Sequence, residues 1–222
     1  MMAHVPIFSH GNVESVLMIG GGDCGIAKQV LKHKSIKNVT QVEIDSSMID
    51  LTKKHFPEFA KSVFSDNRFI SIIEDGVKYV SNTDQKFDII IVDSTDPKGP
   101  GKKLFTKKFY QNCKKCLTLG GIIVTQNGVP ILQSKQLSNT LSDLKSFFKD
   151  VSCYVISVPT YFGGHMTIGF ASDNKQLRKI SEKKLISLYK KSGNIETYYW
   201  TPKIHLSSFV LPKFIQNIVN GD

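Results

Sequence analysis

Short runs rich in Val and Ile alternate along the chain with longer stretches in which apolar residues fall three and four apart. The runs Ser15 to Ile19, Asn38 to Val42, Phe69 to Ile73, Phe87 to Val92, Gly121 to Thr125, Cys153 to Val158 and Met166 to Ala171 read as strands. Helical spacing covers Gly25 to His33, Ser47 to His55, Gly76 to Ser81, Thr106 to Leu117, Ser134 to Lys149 and Glu182 to Lys191, with Phe109, Cys113, Cys116 and Leu117 as one apolar face. Strand and helix in alternation predict βαβ units, hence an α/β fold with a mainly parallel sheet. The last two strands are joined by PTYFGGH, too short for a helical crossover, so they are expected to pair as an antiparallel hairpin. The sheet region extends from about residue 12 to about 175 as one domain, and the segment 176–222, with its YYWTPKIHLSSFVLPKF, is apolar and aromatic enough to pack back on it.

With 222 residues, 41% of them hydrophobic, the chain can bury one core. No apolar run approaches the ~20 residues that cross a bilayer, and MMAHVPIFSH lacks the plan of a signal peptide. The expectation is a cytoplasmic protein without a membrane partner. Cys24, Cys113, Cys116 and Cys153 are too scattered for a secreted disulfide framework. Cys113 and Cys116 fall on an apolar helix face with no second C-x-x-C, which argues against zinc or redox use. The 29 Lys and Arg against 19 Asp and Glu give a net charge of +10. That excess attracts phosphates, but the lysines come in pairs on helices without interleaved aromatics, so no nucleic-acid partner is expected.

The chemistry gathers at predicted strand ends. Gly20, Gly22 and Gly25 in IGGGDCG satisfy G-x-G-x-x-G between a strand and a helix, a context that suits an adenosyl ligand. Asp23 stands where a diphosphate would approach. Two like charges ~4 Å apart at an effective dielectric of ~20 repel by roughly 4 kcal/mol, a discrimination of about a thousandfold against an anionic group. The loop therefore suits a cationic ligand, or one lacking a carboxylate; alternatively Asp23 only caps the next helix. Glu43 ends the second strand, where an acid commonly holds ribose hydroxyls, whereas Asp45 is better placed as a helix cap. Asp75 and Gly76 close the third strand and face the same choice between ligand and cap. Asp93 and Asp96 follow the apolar run Phe87 to Val92, one at the crevice floor and one on the turn above. Such a pair can bind metal, run acid–base chemistry or hold a cationic substrate, or simply suit a turn. With no His nearby in sequence, metal is the weakest of these and no metal is expected.

The segments VLMIGGGDCG, QVEID, EDG, VDSTDPKGPGKKLF, FYQNC, PTYFGG and YYWTPKIHLSSFVLP resemble successive signatures of spermidine synthases, across nearly the whole chain. The resemblance implies a Rossmann-like sheet of the S-adenosylmethionine-dependent methyltransferase type with one antiparallel strand. It also implies transfer of an aminopropyl group from decarboxylated S-adenosylmethionine to putrescine, without a resident cofactor, in a homodimer. It makes Asp93 the proton acceptor and puts Asp96 on the diamine, with Tyr161 beside it and Gln126 a weaker candidate. Asp23 meets the donor's aminopropyl end, Glu43 its ribose, Asp75 and Gly76 its adenine, and Pro100 and Leu104 wall the nucleoside pocket. Two departures stand out. Cys24 replaces a usual glycine, which the loop accommodates if its φ is ordinary and which otherwise constricts it. The N-terminal β-rich domain of family members is expected to be absent, the chain opening at Met1-Met2-Ala3-His4. The rival expectations are a methyltransferase, which Asp23 disfavours by repelling the carboxylate of the intact donor, and an inactive binding remnant.

Overall fold

The computed structural model describes residues 1–97 and 99–221, apart from the Pro100 side chain. Its elements run α1 (His4–His10), β1 (Ser15–Gly20), α2 (Gly25–Leu31), β2 (Asn38–Glu43), α3 (Ser46–His55), α4 (Pro57–Phe64), β3 (Phe69–Ile73), α5 (Gly76–Asn82) and β4 (Phe87–Asp93). A 3-10 turn over Gly99–Phe105 follows, then α6 (Lys107–Cys116), β5 (Leu117–Gln126), α7 (Ser134–Lys145), β6 (Asp150–Ser157) and β7 (His165–Ser172). A second 3-10 turn (Leu177–Lys179) leads to α8 (Glu182–Lys191), α9 (Pro202–Ser208) and α10 (Lys213–Asn220). Every expected strand is present. The seven-stranded sheet has the order β3-β2-β1-β4-β5-β7-β6. β1 pairs parallel with β2 and β4, and β7 runs antiparallel to both β5 and β6, as the short PTYFGGH link requires.

Alternate residues of the central strands feed two cores. Val16, Met18, Ile89, Ile91, Ile122 and Val124 pack on one face with α1, α2 and the C-terminal segment. Leu17, Ile19, Ile90, Val92 and Ile123 pack on the other with α5 and α6, where Cys113 and Cys116 are buried free thiols. The sequence pattern missed α1, α4, α9 and α10. In α1 every residue from His4 to Ser9 is buried, so no polar stripe marks the helix. Pro57 begins α4 at a position where its missing N–H costs nothing. Polar fasteners hold the ends of the elements. Asp88 accepts from the N–H groups of Glu14 (2.8 Å) and Ser15 (3.1 Å) and from Thr118 Oγ1 (2.8 Å), tying β1, β4 and β5 together. Arg68 donates to the carbonyls of Leu31, His33 and Ile36, which closes the end of α2.

The face covered by α1 contains a buried aromatic and histidine cluster. Phe8 stacks on Trp200 at 4.5 Å. Gln29 Oε1 lies 3.2 Å from His4 Nε2, which places the proton there, so that His4 Nδ1 accepts from His33 Nε2 at 2.9 Å. Trp200 Nε1 donates to His205 Nδ1 (3.4 Å), and His205 Nε2 then faces Ser9 Oγ (3.2 Å). Desolvation by burial lowers His4 to about 3 and both His33 and His205 to about 4. The folded state thus keeps all three neutral, whereas the unfolded chain protonates them near pH 6.5. Stability is therefore full above that pH and falls as pH drops from about 6.5 toward 4, by up to about 1.4 kcal/mol per pH unit for each ring. Urea unfolding between pH 7 and pH 5 is expected to show that slope, reduced by about a third in a His33→Gln variant; equal slopes would contradict it.

Candidate active site

The register of the sheet brings the strand-end residues together. Ile19 pairs with Val42 and Val92, and Val92 pairs with Thr125. The next residue on each strand is Gly20, Glu43, Asp93 and Gln126, and equal phase points Glu43, Asp93 and Gln126 to one face at the carboxyl edge. β1 and β4 almost touch there: a Cβ on Gly20, whose φ is +85°, would lie 2.1 Å from the Asp93 carbonyl oxygen. A Cβ on Gly21 would lie 3.3 Å from Asp93 Oδ2, and one on Gly22 would lie 3.0 Å from Glu43 Oε2. The glycine loop thus threads between two carboxylates.

Side chains from β2 and α3 hold the loop in place. Gln41, fully buried, donates through Nε2 to the carbonyls of Gly21 (2.6 Å) and Gly20 (3.3 Å), and its Oε1 accepts from Ser71 Oγ (3.2 Å). Thr52 Oγ1 donates to the Gly22 carbonyl at 2.8 Å. Asp23 remains exposed and accepts from the Gly25 N–H at 2.9 Å, so it caps the turn without burying its charge. Cys24 does not take the ordinary φ under which it would replace glycine freely. Its φ is 61°, in the left-handed region, at a cost of about 1–2 kcal/mol. Its side chain is fully buried in the core with Ala27 and Val30, so it strains the backbone beneath the loop rather than filling the crevice.

Glu43 is buried and accepts from the Asp45 N–H at 3.0 Å, while Asp45 caps α3 through Ser47. Asp75 caps α5 by accepting from the Val77 N–H at 2.8 Å. A Cβ on Gly76 would meet Ile19 Cγ2 at 2.5 Å, so this glycine is required first by the packing of α5 on β1. Asp93 lies half-buried at the end of β4. With the Gln126 amide nitrogen turned toward it, Gln126 donates to Asp93 Oδ1 (3.1 Å) and to the Ser94 carbonyl (3.0 Å). Asp96 accepts from Gln133 Nε2 at 2.9 Å. Tyr161 stands in the β6–β7 turn with its ring half exposed. Leu104 is partly buried against the core on the α5–α6 face; the Pro100 side chain, the other expected wall, lies outside the described residues.

The spermine/spermidine synthase domain matches residues 1–183. The chain belongs to the spermine/spermidine synthase family. It is 44% identical to the polyamine aminopropyltransferase of Ruegeria sp. (strain TM1040) over 218 residues, 98% of this chain and 76% of that protein. A crystal structure of spermidine synthase in complex with the transition state analogue AdoDATO superposes with a TM-score of 0.91 at 32% identity, covering 100% of this chain and 74% of the other. Human methyltransferase-like protein 13 in complex with SAH shares the fold, with a TM-score of 0.62 at 21% identity over 90% of each chain.

Within this member of the spermine/spermidine synthase family, two supporting glutamines, Gln41 and Gln133, carried no signal in the sequence, because a neutral amide has neither a charge nor a spacing to mark it. The electrostatics centre on Asp93. Burial first, then the charges of Asp23 and Glu43, raise its carboxyl to about 6. Among the described residues no group of three or more His, Cys, Asp or Glu side chains is placed to hold a metal ion, and no helix is long and apolar enough to cross a membrane. Because the folded carboxyl is raised above its unfolded value, its contribution to stability is present below pH 4 and is lost as pH rises through about 6. Asp93→Asn is therefore expected to stabilise the chain by about 1–3 kcal/mol at pH 7 and not at pH 4, measured by urea unfolding. In the parent, the carboxyl ¹³C resonance of Asp93 is expected to titrate near pH 6 and to move lower in Asp23→Asn; a titration near 4 in both proteins would refute the arrangement.

Proposed function

We propose that this chain is a spermidine synthase, transferring an aminopropyl group from decarboxylated S-adenosylmethionine to putrescine to give spermidine and methylthioadenosine. The observation that carries the reading is the placement of Asp93 and Glu43 against the glycine loop that bears Asp23, at the carboxyl edge of the sheet, with the Asp93 carboxyl raised by burial and by those charges. Such a crevice favours cations, and both proposed substrates are cations. The same charges disfavour the carboxylate of intact S-adenosylmethionine, and so disfavour methyl transfer.

The chemistry follows from what the residues offer. An amine nitrogen of putrescine attacks the methylene carbon beside the sulfonium; the C–N bond forms as the C–S bond breaks, and the bonding pair leaves on sulfur as a neutral thioether. The nucleophile must be neutral, and removing a proton from an alkylammonium with a pKa near 10.4 costs roughly 4.6 kcal/mol at pH 7. Asp93 accepts that proton, and a carboxyl near 6 is a stronger base than an ordinary one while still ionised at pH 7. Gln126 keeps one oxygen of Asp93 in a fixed place. Asp96 holds the distal ammonium, with Tyr161 flanking the chain of methylenes. Asp23 takes the donor's aminopropyl end, Glu43 its ribose, Asp75 and Gly76 its adenine, and Pro100 and Leu104 line the nucleoside. A homodimer in the cytoplasm belongs to the same proposal.

Incubation of the 222-residue chain with both substrates is expected to yield spermidine and methylthioadenosine in equal amounts. Asp93→Asn is expected to lower kcat by about 10²- to 10⁴-fold while donor affinity changes only a few-fold. Calorimetric titration is expected to show the decarboxylated donor binding far more tightly than the intact one. Absence of product from the parent, or a preference for intact donor, would overturn the reading.

A further inference from the structure

We infer that Gln133 is the positioning residue for Asp96, and that it thereby sets the enzyme's affinity for the diamine without contributing to the donor site. The inference rests on the proposed role of Asp96 in holding the distal ammonium. Gln133 is immobilised at both ends. Its backbone N–H donates to the Val129 carbonyl at 2.8 Å, and its own carbonyl accepts from Leu137 N–H at 3.2 Å, the first bond of α7. Its side-chain Oε1 accepts from the Val129 N–H at 2.8 Å, which closes a ring between residues 129 and 133. A backbone N–H can only donate, so this bond fixes the orientation of the amide and leaves Nε2 on the opposite side. There Nε2 donates to Asp96 Oδ1 at 2.9 Å and reaches Gln136 Oε1 at 3.3 Å.

The approach of this side chain depends on one neighbouring residue. Gly128 has φ +70°, and a Cβ there would lie 2.1 Å from Gln133 Oε1. Gly128 is itself held by β7, since its carbonyl accepts from the Thr167 N–H (2.9 Å) and from Thr167 Oγ1 (3.2 Å). Asp96 sits in a loop beyond β4 with no strand pairing of its own. The amide of Gln133 therefore transmits the rigidity of β5 and β7 to a carboxylate that its own loop would leave free to rotate. One oxygen is occupied by Gln133, and among the described residues the other has no hydrogen-bond partner, so it can meet a cation.

Three variants separate this role from mere support of the loop. Gln133→Met removes both side-chain bonds; Gln133→Glu keeps an acceptor for the Val129 N–H and removes the donor to Asp96; Gln133→Met in an Asp96→Asn background reports coupling. Losing a hydrogen bond to a charged group is expected to raise the putrescine KM about 10- to 100-fold in both single variants, with the donor KM within about 2-fold. In the Asp96→Asn background, Gln133→Met is expected to add nothing. Circular dichroism and thermal melting monitor folding, and putrescine Kd by calorimetry is read alongside the kinetics. A Gln133→Glu variant with parental putrescine KM, additive effects in the cycle, or parallel rises in both KM values would each overturn the inference. A parent that binds putrescine but makes no product refutes the reaction and leaves the Kd ratio to decide on Gln133; a parent that binds no putrescine overturns both.

Discussion

Where β1 meets β4 the sheet leaves no room for a side chain at position 20, and the placement of the site follows from that contact. These strands run side by side although β2 and β3 intervene in the chain, so the order of the sheet reverses between them. A crevice opens at such a reversal, because the loops leaving the two strands turn to opposite sides. The glycine at position 20 lets the crevice begin at backbone level, directly beside Asp93. A larger residue would push β4 away and move Asp93 with it. Gln41 and Thr52 complete the constraint by taking up the loop carbonyls, so that the glycines are held rather than merely permitted.

The same geometry explains how a protein of net charge +10 maintains an acidic cleft. Its lysines lie on helices and in turns, where water screens them beyond about 10 Å. Glu43 and Asp93 sit at strand ends, with less water and a low local dielectric; burial above all, and then the unscreened charges of Asp23 and Glu43, raise the carboxyl of Asp93. Outer charge and inner charge are therefore nearly independent. Any cation is repelled weakly at a distance and attracted more strongly close to these carboxylates.

Much of this was legible in the sequence, for identifiable reasons. Buried parallel strands must be apolar, so β1, β4 and β5 announced themselves, and acids placed just after such runs fall on the carboxyl edge by topology alone. Glu43 and Asp93 could be found in this way. The pattern failed where neither charge nor periodicity marks a residue. α1 is buried almost all round and so shows no stripe; Gln41 and Gln133 act through neutral amides whose partners are remote in sequence or are backbone groups. The left-handed backbone of Cys24 was invisible because residue type usually reports φ only when the residue is Gly or Pro. Gly76 was legible as a special position but for another reason than adenine alone, since Ile19 lies where its side chain would be.

The reversal between β1 and β4 also partitions the chain. Of the residues assigned to the nucleoside donor, the glycine loop, Asp23, Glu43, Asp75 and Gly76 precede β4, at or just past the ends of β1, β2 and β3, and Pro100 and Leu104 follow it; those assigned to the amine, with the amides that brace them, all come from β4 onward. In genetic terms the acceptor half is a contiguous cassette. A crossover just upstream of β4 would exchange the proposed amine-binding residues in one event, carrying Pro100 and Leu104 with them, while leaving the glycine loop, Glu43 and Asp75 of the proposed donor site in place.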